Sequence, residues 1–198
     1  MDLALEYEGR MPILNDVAKE IKNLLEEILR DLPRIDKISS RVKDVDRFIE
    51  KASRKTSKGK MKYKYPLDEI QDQIGARVVV FYKSDVEPVA KRVLAEFNEI
   101  EDRVVEKEDP ETFSYEARHF IFLIPPDLLE HHKAPIEFFE LQISTLFQHA
   151  WAEANHDLNY KSPIDLERDQ KRRIAWAAAQ AWGADLIFDE LWDQLKNN

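Results

Sequence analysis

The stretch IGARVVVFY, residues 74–82, decides the class of fold. It is a short apolar run rich in β-branched side chains, which is typical of a strand buried on both faces of a sheet. The residues that follow, 86–97, carry valine, leucine and phenylalanine at three- and four-residue steps, which predicts a helix. A buried strand followed by an amphipathic helix favours a domain in which helices cover a sheet.

Further strands are expected towards the carboxyl terminus, near residues 103–106, over 118–124 and over 136–143. In the strand predicted over 136–143, successive side chains alternate between two faces. The faces consist of Phe138, Glu140 and Gln142, and of Phe139, Leu141 and Ile143. Helices are predicted over about 145–160 and from Ser162 to the carboxyl terminus, where Ser162-Pro163 is a typical helix start.

Towards the amino terminus, apolar residues recur at helical spacing from Ile13 to Leu32, between Pro12 and Pro33. This pattern predicts an amphipathic helix that begins at the first proline and ends at the second. A more polar helix is predicted over about 38–52. The fold class is therefore α+β, with a mixed β-sheet flanked by helices.

The composition is that of one globular domain. The 198 residues are 43% hydrophobic and 35% charged, with no cysteine, no amino-terminal signal peptide and no apolar run long enough to span a membrane. We expect a soluble, cytoplasmic protein with a single domain over 1–198. It divides into an N-terminal helix (1–37), a catalytic core (38–162) and a C-terminal helix (163–198).

A basic stretch interrupts an acidic chain. The formal net charge is −9, yet residues 51–64 include seven basic residues and no acid. This asymmetry predicts localised phosphate binding, whereas the acidic remainder argues against nonspecific coating of nucleic acid. The alternative is a solvated loop without a ligand.

Two acids stand at strands in apolar surroundings: Asp72 directly before the first buried strand, and Glu140 within the strand over 136–143. Carboxylates in such places need a cation or a proton. If neighbouring strands bring them together, they could hold Mg²⁺ against substrate phosphates. The alternative for each acid is a structural ion pair.

Several other side chains are suited to a nucleotide. Lys43 and Lys51 are eight residues apart, so on one helix they would share a face and reach the same polyphosphate. Arg77 projects from the buried strand and must either pair with an acid or stack on a flat ring. Tyr115 offers an aromatic face to a base.

Three residues, His149, Glu153 and His156, share one face of the helix predicted over 145–160. They could be metal ligands, but no zinc-motif spacing is present and a hydrogen-bonded structural cluster is the favoured interpretation. The chain contains no Walker loop, no GxGxxG and no GxSxG motif, so the common nucleotide and hydrolase signatures are absent.

Four motifs in order resemble the RelA/SpoT-type alarmone synthetase domain, over about Ser40–Ser162. The most specific is ELQISTLFQHAWAEANHDLNYKS, which is similar to that family's glutamate-centred strand and following helix. The other three are R-x-K with a lysine eight residues on, D-x-x-G-x-R, and Y-x-x-x-H. In the same order, the residues of these three motifs are Arg41, Lys43 and Lys51; Asp72, Gly75 and Arg77; and Tyr115 and His119.

The resemblance implies a small stand-alone synthetase with a nucleotidyltransferase-like fold. Its activity would be GTP pyrophosphokinase: transfer of the β,γ-diphosphate of ATP to the 3′-hydroxyl of GDP or GTP, which yields (p)ppGpp and AMP. Mg²⁺ would be the cofactor. The implied catalytic and metal-binding residues are Asp72 and Glu140, the ATP-binding residues Arg41, Lys43, Lys51 and Arg77, and the acceptor-binding residues Tyr115, His119 and Gln142.

Other interpretations remain open on the acceptor side. The family often has Asn-Gly before the stacking tyrosine, where this chain has Phe113-Ser114. Toxin-type relatives use an adenine nucleotide or the 3′ end of tRNA as acceptor. A catalytically idle nucleotide-binding protein and a nucleotidyltransferase that releases pyrophosphate are further alternatives.

The C-terminal helix predicts self-association. It carries three tryptophans and several large aliphatic side chains on more than one face. That is more apolar surface than one core-facing stripe needs, which favours a homo-oligomer. The alternative is that these side chains fill the domain's own core.

Overall fold

The computed structural model describes residues 2–104, 117–161 and 166–196. Their strands are β1 (Ile35–Val42), β2 (Ile74–Val80), β3 (Glu99–Val104), β4 (Arg118–Leu123) and β5 (Phe138–Thr145). Their α-helices are α1 (Leu3–Ile28), α2 (Val45–Ala52), α3 (Pro66–Glu69), α4 (Val86–Glu96), α5 (Pro126–His132), α6 (Leu146–Lys161) and α7 (Arg168–Lys196). A 3₁₀ turn spans Lys83–Asp85.

The strands form one sheet in the order β1-β2-β5-β4-β3. Only β2 and β5 run parallel, and the other three pairs are antiparallel. The predicted mixed sheet flanked by helices is therefore confirmed.

The two faces of the sheet differ in polarity. The alternation predicted for β5 is confirmed, because Phe139, Leu141 and Ile143 are fully buried while Glu140 and Gln142 are only partly so. Apolar residues of the buried face form the main core together with side chains of α1 and α4. The opposite face keeps polar side chains at the centre of the sheet.

Strand β2 is buried on both faces only in its second half. Val78, Val79 and Val80 have no exposed surface, whereas Gly75 and Arg77 are partly exposed. The prediction of a strand buried on both faces is thus correct for the carboxyl half. The amino half borders a cavity.

Helix α1 begins nine residues before Pro12, so the prediction that this proline starts the helix is wrong. Asp2 caps the helix by accepting a hydrogen bond from the Ala4 N–H. Pro12 costs one backbone hydrogen bond inside the helix. Burial of Tyr7 offsets this cost, since its ring stacks on Phe48 with centroids 3.8 Å apart.

The single helix predicted over 38–52 is also wrong in its first half. Residues up to Val42 form the edge strand β1, which pairs with β2. Helix α2 begins only at Val45. Backbone hydrogen bonds to β2 decide the conformation of this segment, because its local pattern is compatible with either structure.

Two further observations concern helices α5 and α7. His131 and His132 are the last two residues of the short helix α5. Helix α7 is described from Arg168, and the predicted start at Ser162 lies outside the described residues. Helix α7 contacts the sheet through Asp185, which accepts a hydrogen bond from the Thr145 hydroxyl.

None of the described helices is long and apolar enough to cross a membrane.

Candidate active site

The polar face of the sheet forms the floor of a cavity of about 450 Å³. Register places Arg41, Gly75 and Glu140 in one row across β1, β2 and β5. The next row on the same face of these strands contains Arg77 and Gln142. A Cβ at Gly75 would meet no described atom within 4 Å, so this glycine leaves the floor open between Arg41 and Glu140.

Two lysines converge on Asp72. The Nζ atoms of Lys43 and Lys51 lie 3.1 and 2.7 Å from Asp72 Oδ2. Lys43 directly follows β1 instead of lying on α2, yet it reaches the same carboxylate as Lys51 because the backbone turns between β1 and α2. Burial opposes ionisation of Asp72, but the two ammonium groups outweigh it and lower the pKa of the carboxyl below its usual range.

The carboxylate of Glu140 is oriented from both sides. Its Oε1 lies 3.2 Å from His119 Nδ1, and its Oε2 accepts a hydrogen bond of 2.9 Å from the Gln142 amide. Burial and the charge of Asp72 act to raise the pKa of Glu140, but His119 and Gln142 outweigh them and lower it. Glu140 is therefore a carboxylate at neutral pH.

The carboxylates of Asp72 and Glu140 provide the kind of oxygen ligands that a hard divalent cation prefers. Asp72 Oδ1 is buried and has no hydrogen-bond partner among the residues that the structure describes, so one carboxylate oxygen remains available. Asp72 and Glu140 line the same cavity, and the charge of Asp72 acts to raise the pKa of Glu140. Within the described ranges no three His, Cys, Asp or Glu residues form a metal cage. Two carboxylates completed by water or phosphate oxygens are typical of Mg²⁺ sites.

Helix α6 forms one wall of the cavity. His149 and Glu153 contact the Arg77 guanidinium, which also donates to Gln142. The ion pair between Arg77 and Glu153 bears out one of the two alternatives for Arg77, pairing with an acid.

The third residue of this helix face, His156, lies 3.1 Å from an Arg47 nitrogen through its Nε2 atom. The three residues thus hydrogen-bond to two different arginines, which agrees with the structural interpretation that the sequence favoured over a metal site. Sequence reasoning missed Arg47 and Glu50, which also line the cavity. The i, i+4, i+7 spacing marked this helix face, but only the fold identifies its arginine partners.

Most of the predicted site residues come together. Arg41, Lys43, Lys51, Asp72, Arg77, Glu140 and Gln142 all line the cavity, and His119 adjoins it through Glu140. Tyr115 lies outside the described residues.

Of the basic stretch over 51–64, only Lys51 and Arg54 line the cavity. The residues beyond them, including Lys55, Lys58, Lys60, Lys62 and Lys64, form an exposed turn with Gly59 at φ 75°. Phosphate binding therefore stays a prediction for the start of the stretch, which lines the cavity, while the lysines beyond it are exposed to solvent.

Comparison with known proteins matches this arrangement to one family. The profile described as the region found in RelA / SpoT proteins matches residues 40–165, more than half of the chain. The chain belongs to the RelA/SpoT family. This confirms the resemblance drawn from the four motifs.

Relatives within the family match over most of their length. GTP pyrophosphokinase YjbM of Bacillus subtilis (strain 168) is 30% identical over 162 residues, which cover 79% of this chain and 72% of the relative. The crystal structure of small alarmone synthetase 1 from B. subtilis aligns with a TM-score of 0.79 at 25% identity, covering 98% and 99% of the two chains. A GTP pyrophosphokinase family protein from Streptococcus pneumoniae shares the fold with a TM-score of 0.78 at 24% identity, covering 100% and 97%.

Proposed function

We propose that this protein is an ATP-dependent pyrophosphokinase that transfers the β,γ-diphosphate of ATP to the 3′-hydroxyl of GDP or GTP and releases AMP. The homology to a GTP pyrophosphokinase over 79% of the chain supports this activity. The observation that carries the proposal is the cavity, which is lined both by the lysine-bound Asp72, just before β2, and by the oriented Glu140 on the neighbouring strand β5.

On the donor side, Lys43 and Lys51 bind the phosphates of ATP, and Arg41 and Arg77 flank its adenine. The two lysines already surround a carboxylate, so phosphate oxygens entering the cavity meet positive charge positioned in advance. Transfer of a phosphoryl-type group requires mainly such positioning and charge neutralisation.

On the acceptor side, Glu140 accepts the proton of the attacking ribose hydroxyl. Its lowered pKa keeps it ionised at neutral pH, and its contacts with His119 and Gln142 fix its direction. His119, Gln142 and Tyr115 belong to the acceptor site in this proposal, with Tyr115 stacking on the base.

Mg²⁺ completes the site, held by Asp72 and Glu140. When bound, it supplies charge neutralisation for the diphosphate group. The buried Asp72 Oδ1, which lacks a partner within the described ranges, supports this assignment.

The proposal extends to the assembly and to the location of the protein. The exposed apolar side chains of α7 support a homo-oligomer. A cytoplasmic location follows from the substrates, since ATP and GTP are drawn from the cytoplasmic pool.

The test is incubation with Mg²⁺ and γ-labelled ATP, with GDP, GTP, ADP and deacylated tRNA offered separately and the products resolved by chromatography. Label on GDP or GTP with equimolar AMP is the expected result. Label on ADP or tRNA would show that the protein transfers diphosphate as proposed, but to a different acceptor. Release of pyrophosphate in place of AMP, or no transfer to any acceptor, would overturn the proposed activity.

A further inference from the structure

The guanidinium group of Arg77 is held at its edge from two directions. Its Nε and Nη2 atoms donate to Gln142 Oε1 on β5, over 3.3 and 3.0 Å. Its Nη1 atom donates to His149 Nδ1, over 2.9 Å, and to Glu153 Oε1, both on α6. These contacts, which we call the clamp, hold Arg77 between the sheet and helix α6, the wall of the cavity.

The chemistry of these contacts defines the state of His149. Arginine carries only donors, so the Nδ1 atom of His149 must accept, and the imidazole must be neutral with its proton on Nε2. All of these partners bond at the rim of a planar group. They therefore fix the plane of the guanidinium without occupying its faces. Arg77 lines the cavity, and its side chain is 22% exposed.

We propose that His149 and Glu153 are positioning residues, which fix the plane of the Arg77 guanidinium so that its face receives the adenine ring of ATP. The proposal rests on the proposed function, which places adenine against Arg77. A guanidinium fixed in advance loses less freedom when the ring stacks on it, so the clamp increases affinity for the donor nucleotide. Neither residue contacts Glu140 in this arrangement, so the chemical step does not depend on them directly.

The clamp is sensitive to protonation of His149. The groups around this imidazole are Arg77 on β2, Glu153 on α6, and Asp36 and Lys37 on β1. Burial and the positive charge of Arg77 lower the pKa of His149, against the opposing effect of Glu153. An imidazolium cannot accept from Arg77 and repels it. Binding of ATP therefore weakens as the pH falls through the pKa of His149.

The experiment compares His149→Ala, Glu153→Ala and His149→Asn with the wild type. His131→Ala is the control, because this exposed histidine on α5 is not part of the cavity. Steady-state kinetics provides KM for ATP, KM for GDP and kcat. Calorimetry measures Kd for a non-hydrolysable ATP analogue, and thermal unfolding verifies the fold of each variant.

The expected result is that each alanine variant raises KM for ATP and Kd for the analogue by about tenfold, the effect of losing one hydrogen bond to a charged group. KM for GDP and kcat should be unchanged. His149→Asn should restore most of the affinity, because asparagine Oδ1 can replace Nδ1 as acceptor. Its affinity should also lose the dependence on acidic pH.

Three outcomes would overturn the inference: an unchanged KM for ATP in both alanine variants, a loss confined to kcat, or a His149→Asn variant as weak as His149→Ala. A different result would show that the proposed function is wrong while the inference holds. Wild-type protein would then bind the analogue with an affinity that depends on His149 but transfer no diphosphate. Wild-type protein that does not bind the analogue at all would refute both.

Discussion

Glu140 is a carboxylate at the centre of a sheet, where burial opposes its charge, and its contacts with His119 and Gln142 keep it ionised. Replacement of Glu140 by glutamine removes the charge and nearly retains the volume. We expect kcat to fall by about 10²- to 10⁴-fold, the contribution typical of a general base. KM for ATP should change little.

The control is Glu137→Gln, an exposed glutamate three residues earlier in the chain. Single-turnover transfer of labelled diphosphate, with circular dichroism to verify the fold, is the appropriate measurement. Wild-type turnover in the Glu140→Gln variant would remove Glu140 from the mechanism.

Asp72 links stability to pH. Its pKa is lower in the folded protein than the ordinary value of 3.8, so its stabilisation is fully present above that value and is lost as the pH falls through the folded pKa. Asp72→Asn removes this contribution and leaves Lys43 and Lys51 without their shared counter-ion. We expect it to lower the free energy of unfolding at pH 7 by about 2 kcal/mol.

Urea unfolding between pH 7 and pH 3 measures this difference, with the exposed Asp16→Asn as control. The gap between wild type and Asp72→Asn should begin to narrow as the pH drops below about 4, where the carboxyl becomes protonated in the unfolded chain, and should close as the pH falls through the lower pKa of the folded protein. A gap that stays constant over this range would contradict the assignment.

Among the elements, α1 does more than cover the sheet. Its first turns place Tyr7 against Phe48 of α2, and the Tyr7 hydroxyl donates a hydrogen bond of 2.7 Å to the backbone carbonyl of Lys43. Burial and the nearby charges of Asp72 and Asp44 raise the pKa of Tyr7, so the hydroxyl keeps its proton and remains a donor. The helix therefore supports the turn from which Lys43 reaches Asp72.

Tyr7→Phe leaves that carbonyl without this donor. We expect a loss of about 1 kcal/mol in the free energy of unfolding, the usual net value of one hydrogen bond. A modest rise in KM for ATP should accompany it, because the position of Lys43 becomes less well defined. Urea unfolding and steady-state kinetics are the measurements.

Tyr65→Phe serves as the control, since the Tyr65 side chain is exposed. If Tyr7→Phe were as stable as the wild type and had the same KM, the amino-terminal turns of α1 would have no part in supporting the site.

At the scale of the whole molecule, α7 presents an apolar stripe away from its own domain. Trp176, Ile187, Leu191 and Leu195 are all at least 49% exposed, and their spacings of eleven and four residues align them on one side of the helix. Ala178 and Asp185, which are buried, lie on the opposite side. A stripe of this kind is typical of a surface that packs against another copy of the chain.

Glutamate at both Ile187 and Leu191 should disrupt such an assembly. Burying a charge in an apolar contact raises the dissociation constant by at least about 30-fold, the effect of about 2 kcal/mol. Light scattering after gel filtration should show a homo-oligomer for the wild type and a monomer for the double variant. Leu5→Glu, on the exposed side of α1, is the control. A monomeric wild type would refute self-association.

The sequence by itself determined the features that depend on local periodicity. The alternation in β5 placed Glu140 and Gln142 on the polar face, because side chains of a strand alternate whatever the strand pairs with. The apolar run of β2 and the helical spacing of α4 were likewise sufficient to identify both elements. The position of Asp72 before a buried strand and of Glu140 within one marked the two acids of the candidate site.

Only the tertiary structure decided which distant groups meet. Residues 38–42 became a strand because β2 offers them backbone partners, and α1 extends past Pro12 because Tyr7 is buried against α2. The partners of Arg77 on α6 lie more than seventy residues away in the chain. Periodicity reports only whether a side chain is buried, whereas its partner depends on strand order and helix placement, which no local pattern contains.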